Sequence, residues 1–212
     1  MRPLYPSVVA ILGSLGLGCA ESAPPPAQAP STTEGFTTNE TATKDRWGTF
    51  HSRRFNLVLR LPGGSEWRVD DRSRPELVAI HSASRSRLAA ARWTATSLQN
   101  RESCLATARE RGLAPPASAR IVDDSAEVRP SGEDVRSWAS IEPGASDAAP
   151  VRGYATLVSA QIKKCLVVSY VTEVPSMKDE AELTTRLAVI REGTLARARV
   201  EAFDEVPRER PR

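Results

Sequence analysis

Apolar and polar residues alternate through Phe55-Asn56-Leu57-Val58-Leu59-Arg60-Leu61, which sets Phe55, Leu57, Leu59 and Leu61 on one face of a half-buried strand. Pro62-Gly63-Gly64 stops that strand. Trp47 to Ser52 is predicted as its partner, with Ser52-Arg53-Arg54 as the turn, and Leu77 to His81 and Leu88 to Thr94 as two further strands around a Ser/Arg-rich loop. Shorter patterns predict strands at Ala119 to Val122 and Val135 to Ile141. The strongest signal is Val151 to Ile162 followed by Cys165 to Val174, two β-rich runs flanking Lys163-Lys164 that read as a hairpin. In the second run Cys165, Val167 and Val171 fall on one side and Leu166, Val168 and Tyr170 on the other. A strand apolar on both faces belongs in the middle of a sheet covered above and below.

Two stretches carry helical signals. Asn100 can cap a helix from about Arg101 to Arg111, with Glu102 in its first turn, Arg109 and Arg111 in its last and Gly112 where a left-handed stop is wanted. Pro175-Ser176 opens the second, with Ser176 and Asp179 as a capping-box-like pair and Leu183, Leu187 and Ile190 at helical spacing. Gly193 is expected to interrupt it; beyond, Leu195 to Phe203 fits a helix turn or a closing strand equally well. Strands, helix, strands ending in a hairpin, then helix describes an α+β domain with a mostly antiparallel sheet and two main helices.

The first residues have a different pattern. Arg2 precedes an apolar run, Val8 to Leu17, that is too short for a bilayer span of roughly 20 residues and reads as an export signal over residues 1–18. The run ends Leu17-Gly18-Cys19, which resembles the lipobox of bacterial lipoproteins, although Leu15 stands one step earlier than the leucine of that family and Gly16 takes its place. The resemblance implies a diacylglycerol on the Cys19 thiol and cleavage just before it. The alternative is a secretory signal cut after Ala20, with Cys19 discarded. Residues 19–43 then form an expected tether, whose part after the cysteine holds four prolines, many Ser and Thr and one aromatic. That composition buries too little apolar surface to order itself. Its 24 residues after Cys19 would reach roughly 25 to 30 Å. A single domain is expected over 44–206, and residues 207–212 as a frayed tail.

Composition narrows the classes. The formal charge of +3 becomes +5 from Lys44 onward, where 28 Lys and Arg face 23 Asp and Glu. The signs are interspersed, without the basic stripe and stacking aromatics of a nucleic-acid binder. No Walker loop or dinucleotide fingerprint is present, so no nucleotide cofactor is indicated. With Cys19 lipidated, Cys104 and Cys165 remain as an even pair in an oxidising compartment and are expected to form a disulfide; two separate buried thiols are the alternative.

The segment Phe50-His51-Ser52 through Leu57-Val58-Leu59-Arg60-Leu61-Pro62 to Trp67, with the closing hairpin and helix, is similar to the PsbP-like superfamily. That superfamily takes in photosystem extrinsic subunits, Ran-binding import factors and bacterial envelope lipoproteins. The resemblance implies a PsbP-like sandwich and an accessory or binding role.

Candidate chemistry is sparse. His81 lies beside Ser82, Ser84 and Ser86 with Asp70 and Asp71 upstream, the residue types of a hydrolytic triad, but no Gly-x-Ser-x-Gly elbow accompanies them. His51 and His81 with Cys104 and Cys165 lack the close ligand pair of a zinc site, and no metal is expected. Asp70-Asp71 and Asp123-Asp124 lack a calcium-loop pattern and are expected in solvated turns. Trp47, Trp67, Trp93 and Trp138, with Tyr154 and Tyr170, fill a core or line a groove. The functional expectation is a non-catalytic, lipid-anchored envelope protein that binds another envelope protein or polymer and meets the membrane through Cys19. A small-ligand carrier and a hydrolase using His81 are the alternatives, and secretion is the alternative location. Oligomeric state stays open.

Overall fold

The computed structural model describes residues 36–38 and 47–200. The export segment, Cys19, the rest of the tether and the tail lie outside the described residues. In chain order the strands are β1 (Phe36–Thr38), β2 (Trp47–Ser52), β3 (Leu57–Pro62), β4 (Arg68–Asp70), β5 (Leu77–His81) and β6 (Ser86–Thr94). Helix α1 (Arg101–Glu110) follows, then β7 (Arg120–Val128), β8 (Asp134–Glu142), β9 (Val151–Gln161), β10 (Lys164–Val174), helix α2 (Glu180–Ile190) and β11 (Arg199–Val200). The architecture is α+β, as the pattern predicts.

A seven-stranded sheet runs β4-β5-β6-β10-β9-β8-β7, and a four-stranded sheet runs β1-β2-β3-β11. Every paired neighbour is antiparallel. The strand expected at the centre, β10, is the fourth of seven. Its Leu166, Val168 and Tyr170 join the larger core, formed with Leu57, Leu59 and Leu61 of β3 and with Leu183, Leu187 and Ile190 of α2. Its Cys165 and Val167 join a second core beneath α1, with Cys104, Leu105 and Ala108. The two-sided pattern of one strand thus reports two layers of cover. Where α2 crosses β9, a Cβ on Gly153 would lie 2.7 Å from Leu183 Cδ1, so the absent side chain sets how closely the helix settles.

The helix signals hold in different degrees. Asn100 Oδ1 accepts from Ser103 N–H at 2.8 Å and Ser103 Oγ accepts from Asn100 N–H at 3.1 Å, a full capping box in which Ser103 takes the usual Glu position. Gly112 sits at φ +68°, the left-handed stop that Gly adopts without cost. Ser176 and Asp179 hydrogen-bond to each other at 3.0 Å, and a 3₁₀ turn, Met177–Asp179, precedes α2. Gly193 does not interrupt the helix; the chain continues into a π-helical turn, Arg191–Leu195, and the ring of Trp47 lies against Gly193. The undecided stretch begins at the end of that turn and passes into β11; its last residues, 201–203, lie outside the described residues.

Three other expectations need correction. Strand β1 lies within the expected tether and pairs with β2, Phe36 in register with Phe50, because Phe36-Thr37-Thr38 is a β-favouring triplet inside a Pro-rich context. Strand β4 was hidden by its brevity. The strand expected to end at Val122 runs on to Val128, so Asp123 and Asp124 stand within a strand and not in a turn. All nine residues of β7 are exposed, which removes the apolar alternation by which strands are recognised.

The β9–β10 turn falls one residue earlier than Lys163-Lys164: Gln161 pairs with Lys164 and Ile162 takes φ +56°. A left-handed β-branched residue costs about 1–2 kcal/mol, and Ile162 is 71% exposed, so burial does not offset that cost. Ile162→Asn is therefore expected to raise stability by about 1 kcal/mol in denaturant unfolding. An unchanged or lowered midpoint contradicts this reading of the turn.

Candidate functional site

The histidine singled out in the sequence stands in a hydrogen-bonded chain. His81 closes β5, and the turn to β6 brings Ser84 Oγ to 2.7 Å from its Nδ1. Ser84 N–H also points at Nδ1, at 3.3 Å, so that nitrogen accepts and Nε2–H donates to Glu66 Oε2 at 2.9 Å. The carboxylate of this trio is Glu66, not Asp70 or Asp71. Asp71 accepts from Ser52 Oγ at 3.2 Å, and Asp70 is occupied by Ser73. Nothing in the spacing of Glu66 and His81, fifteen residues apart across a 3₁₀ turn and a strand, marks them as partners.

The chain continues inward. Ser84 Oγ meets Ser86 Oγ at 2.7 Å, and Ser86 Oγ meets Tyr170 Oη at 2.8 Å and Thr172 Oγ1 at 2.9 Å. The Ser84 carbonyl accepts from Arg186 of α2 at 3.0 Å and from Thr172 at 3.2 Å. Trp67 tilts over His81 with ring centroids 5.3 Å apart. Ser84 is therefore held at its amide, carbonyl and hydroxyl together, a strut joining the β5–β6 turn to β10 and α2.

The thiols are placed by the second core. Cys104, in the first turns of α1, and Cys165, on β10, stand at disulfide distance with Cα atoms 5.7 Å apart. Among the described residues no group of three or more His, Cys, Asp or Glu is positioned to share a metal ion. Trp67, Trp138, Tyr154 and Tyr170 are buried. Trp47 and Trp93 are half-buried beneath the guanidinium groups of Arg60 and Arg111.

At the other edge of the large sheet the picture changes. Beside β7 a groove of about 390 Å³ opens between α1 and the sheet, floored by Leu105, Trp138 and Val158 and rimmed by Arg101 and Arg136. On the opposite face of the same strand a second groove of about 230 Å³ lies over Val135 and Leu157, rimmed by Arg129 and Arg191 of the π-helical turn. Ser125 and Ala126 border both. Arg136 grips Asp124 through Nε and Nη2 at 3.0 and 2.8 Å and lies over Trp138, 5.0 Å from the ring centroid. Those hydrogen bonds hold the Asp124 carboxyl below its ordinary range and push Arg136 up. Arg191 pairs with Asp123, and its Nε is buried without a hydrogen-bond partner. Nothing in the residue order marks these grooves, because their polar rims come from four separate parts of the chain.

No protein-family model matches the chain, and no curated protein matches it. Among solved structures it is similar to the cyanobacterial PsbP protein CyanoP of a Synechocystis species. Identity there is 10%, TM-score 0.47, and the match covers 78% of this chain and 98% of that one. It is also similar to a crystal structure from Bacteroides thetaiotaomicron, at 9% identity and TM-score 0.42, covering 74% of this chain and 49% of that one. This chain thus spans about half the length of the Bacteroides protein. Likeness at these values is one of fold and carries nothing about activity.

Two titrations follow from the geometry. Hydrogen bonds from Ser73, then from the Arg72 amide, with the charge of Arg74, lower Asp70 to about 2. Its folded value lies below the unfolded one near 4, so its contribution is present above pH 4 and is lost as pH falls toward 2. Burial, then the Glu142 carboxylate 2.7 Å from its hydroxyl, raises Tyr154 to about 12. The neutral phenol is favoured in the folded state, so that contribution is present below pH 10 and lost as pH rises toward 12. A tyrosinate titration by ultraviolet absorbance should show a step near pH 12 that Tyr154→Phe removes; Glu142→Gln should bring that step lower, and an unchanged curve contradicts the assignment.

Proposed function

We propose that this is a lipid-anchored protein of the bacterial cell envelope that works by binding another envelope component and performs no chemistry of its own. The observation that carries the reading is β7, a nine-residue edge strand exposed along its whole length and flanked by a groove on each face. A sheet edge presents an open row of amides and carbonyls that can accept another chain, and the charges along β7 restrict which chain that is. An export-type amino terminus ending at Cys19 and a cysteine pair suited to an oxidising compartment support the location. The attachment through lipid at Cys19 rests on the residues that precede it; among the described residues no helix is long and apolar enough to cross a membrane.

A hydrolase is the second reading, favoured by the Ser84–His81–Glu66 geometry. Against it, Ser84 also serves as a strut, and the grooves lie at the far edge of the sheet. The two readings separate by experiment. Crosslinking in intact cells should give a discrete adduct with an exported protein or polymer, unchanged in His81→Ala. Labelling of Ser84 by a fluorophosphonate, lost in His81→Ala, would instead establish the hydrolase.

A further inference from the structure

Strand β7 differs in charge from the domain it borders. From Lys44 onward the chain carries +5, whereas β7 holds Asp123, Asp124 and Glu127 against Arg120 alone, a net −2. The three carboxylates each pair with an arginine of the domain, yet their side chains stay 62%, 41% and 66% exposed, open to a second cation. Between them stand the two small residues of the strand. Ala126 is paired with Arg136, and so lies on the α1 face; Ser125 is paired with Ser137, and so lies on the face of the second groove. Ala126 and Ser125 project least from the edge, so the mouths of both grooves open between the carboxylates, beside Arg136 on one face and Arg191 on the other.

Resting on the reading of the chain as an interaction module, we propose that β7 is a docking strand for an extended segment of a partner protein, added antiparallel to its outer edge, in which two adjacent apolar residues are flanked by Lys or Arg. Successive residues of an added strand point to opposite faces. The residue opposite Ala126 therefore enters the mouth of the larger groove beside Arg136, and the next enters the mouth of the smaller one. Basic residues before and after this pair meet Glu127 on one side and Asp124 and Asp123 on the other. Self-pairing is disfavoured, because the antiparallel register that pairs Arg120 with Glu127 of a second copy also sets Asp123 against Asp124.

The test uses the full chain, purified in detergent, and a capped peptide, Thr-Lys-Phe-Val-Lys-Lys-Thr, carrying a fluorophore. Anisotropy should show saturable binding that weakens as salt is raised from about 0.05 to about 0.5 M. Hydrogen exchange should slow within 120–128. The same peptide with Glu for Lys should bind about tenfold or more weakly, and Ala126→Trp, which fills the larger groove from an exposed position, should cost about tenfold with an unchanged melting temperature. Absence of binding at about 1 mM peptide, equal binding of the Glu peptide, or protection confined to other strands overturns the proposal. A discrete envelope adduct that forms through another surface would leave the interaction-module reading intact while removing β7 from it.

Discussion

Replacing Cys104 and Cys165 by alanine is expected to lower the stability of the folded domain by about 4 kcal/mol, the chain-entropy value for a closed loop of this span, 61 residues. Both side chains are buried in the second core, where a bond between them joins α1 to the central strand. For a domain of this size each kcal/mol moves the melting temperature by about 2–4 °C, giving a drop on the order of 10 °C. Cys104→Ala alone should fall nearly as far as the double variant, since one substitution already opens the loop. Thermal unfolding of the native protein with and without reductant checks the same point. Identical curves mean that two buried thiols, and no bond, occupy this position.

Gly193→Ala should destabilise by about 2–3 kcal/mol, although the same change in an exposed helix stabilises by about 1 kcal/mol. The sign reverses because an alanine Cβ would lie 2.6 Å from Cζ2 and 2.8 Å from Cζ3 of Trp47, inside any permitted contact. Trp47 cannot move away freely. It begins β2, pairs with Pro62 across the small sheet, and has Arg60 over its ring. Meanwhile Thr194, next along the π-helical turn, donates to the Arg60 carbonyl at 2.6 Å and pins the turn to β3. Trp47→Val should remove most of the Gly193→Ala penalty, so a double-mutant cycle in denaturant reads the contact directly. Additive effects would show that the ring and the glycine are independent.

These two cases mark what could be read from the residues. Burial patterns were legible: the alternation of β3, the two apolar faces of β10 and the Leu183, Leu187, Ile190 stripe each named a layer that exists. Other features were hidden because their residues carry no burial signal. Strand β7 is exposed on both faces, and Asp-Asp-Ser mimics a turn. Gly193 reads as a helix breaker in sequence, whereas its role is to leave room for a ring 146 positions earlier that no local rule connects to it. Likewise, the Ser and His types of the His81 network were visible, but Glu66, Tyr170, Thr172 and Arg186 come from elements that only folding brings together.

The edge strand and grooves matter only if the domain works where the proposal places it. Mass spectrometry of the mature protein purified from the membrane fraction tests that directly. The account predicts an amino terminus at Cys19 carrying diacylglycerol, with fatty-acid mass released by alkali; an unmodified chain beginning at Glu21, or a cytosolic chain still beginning at Met1, contradicts it.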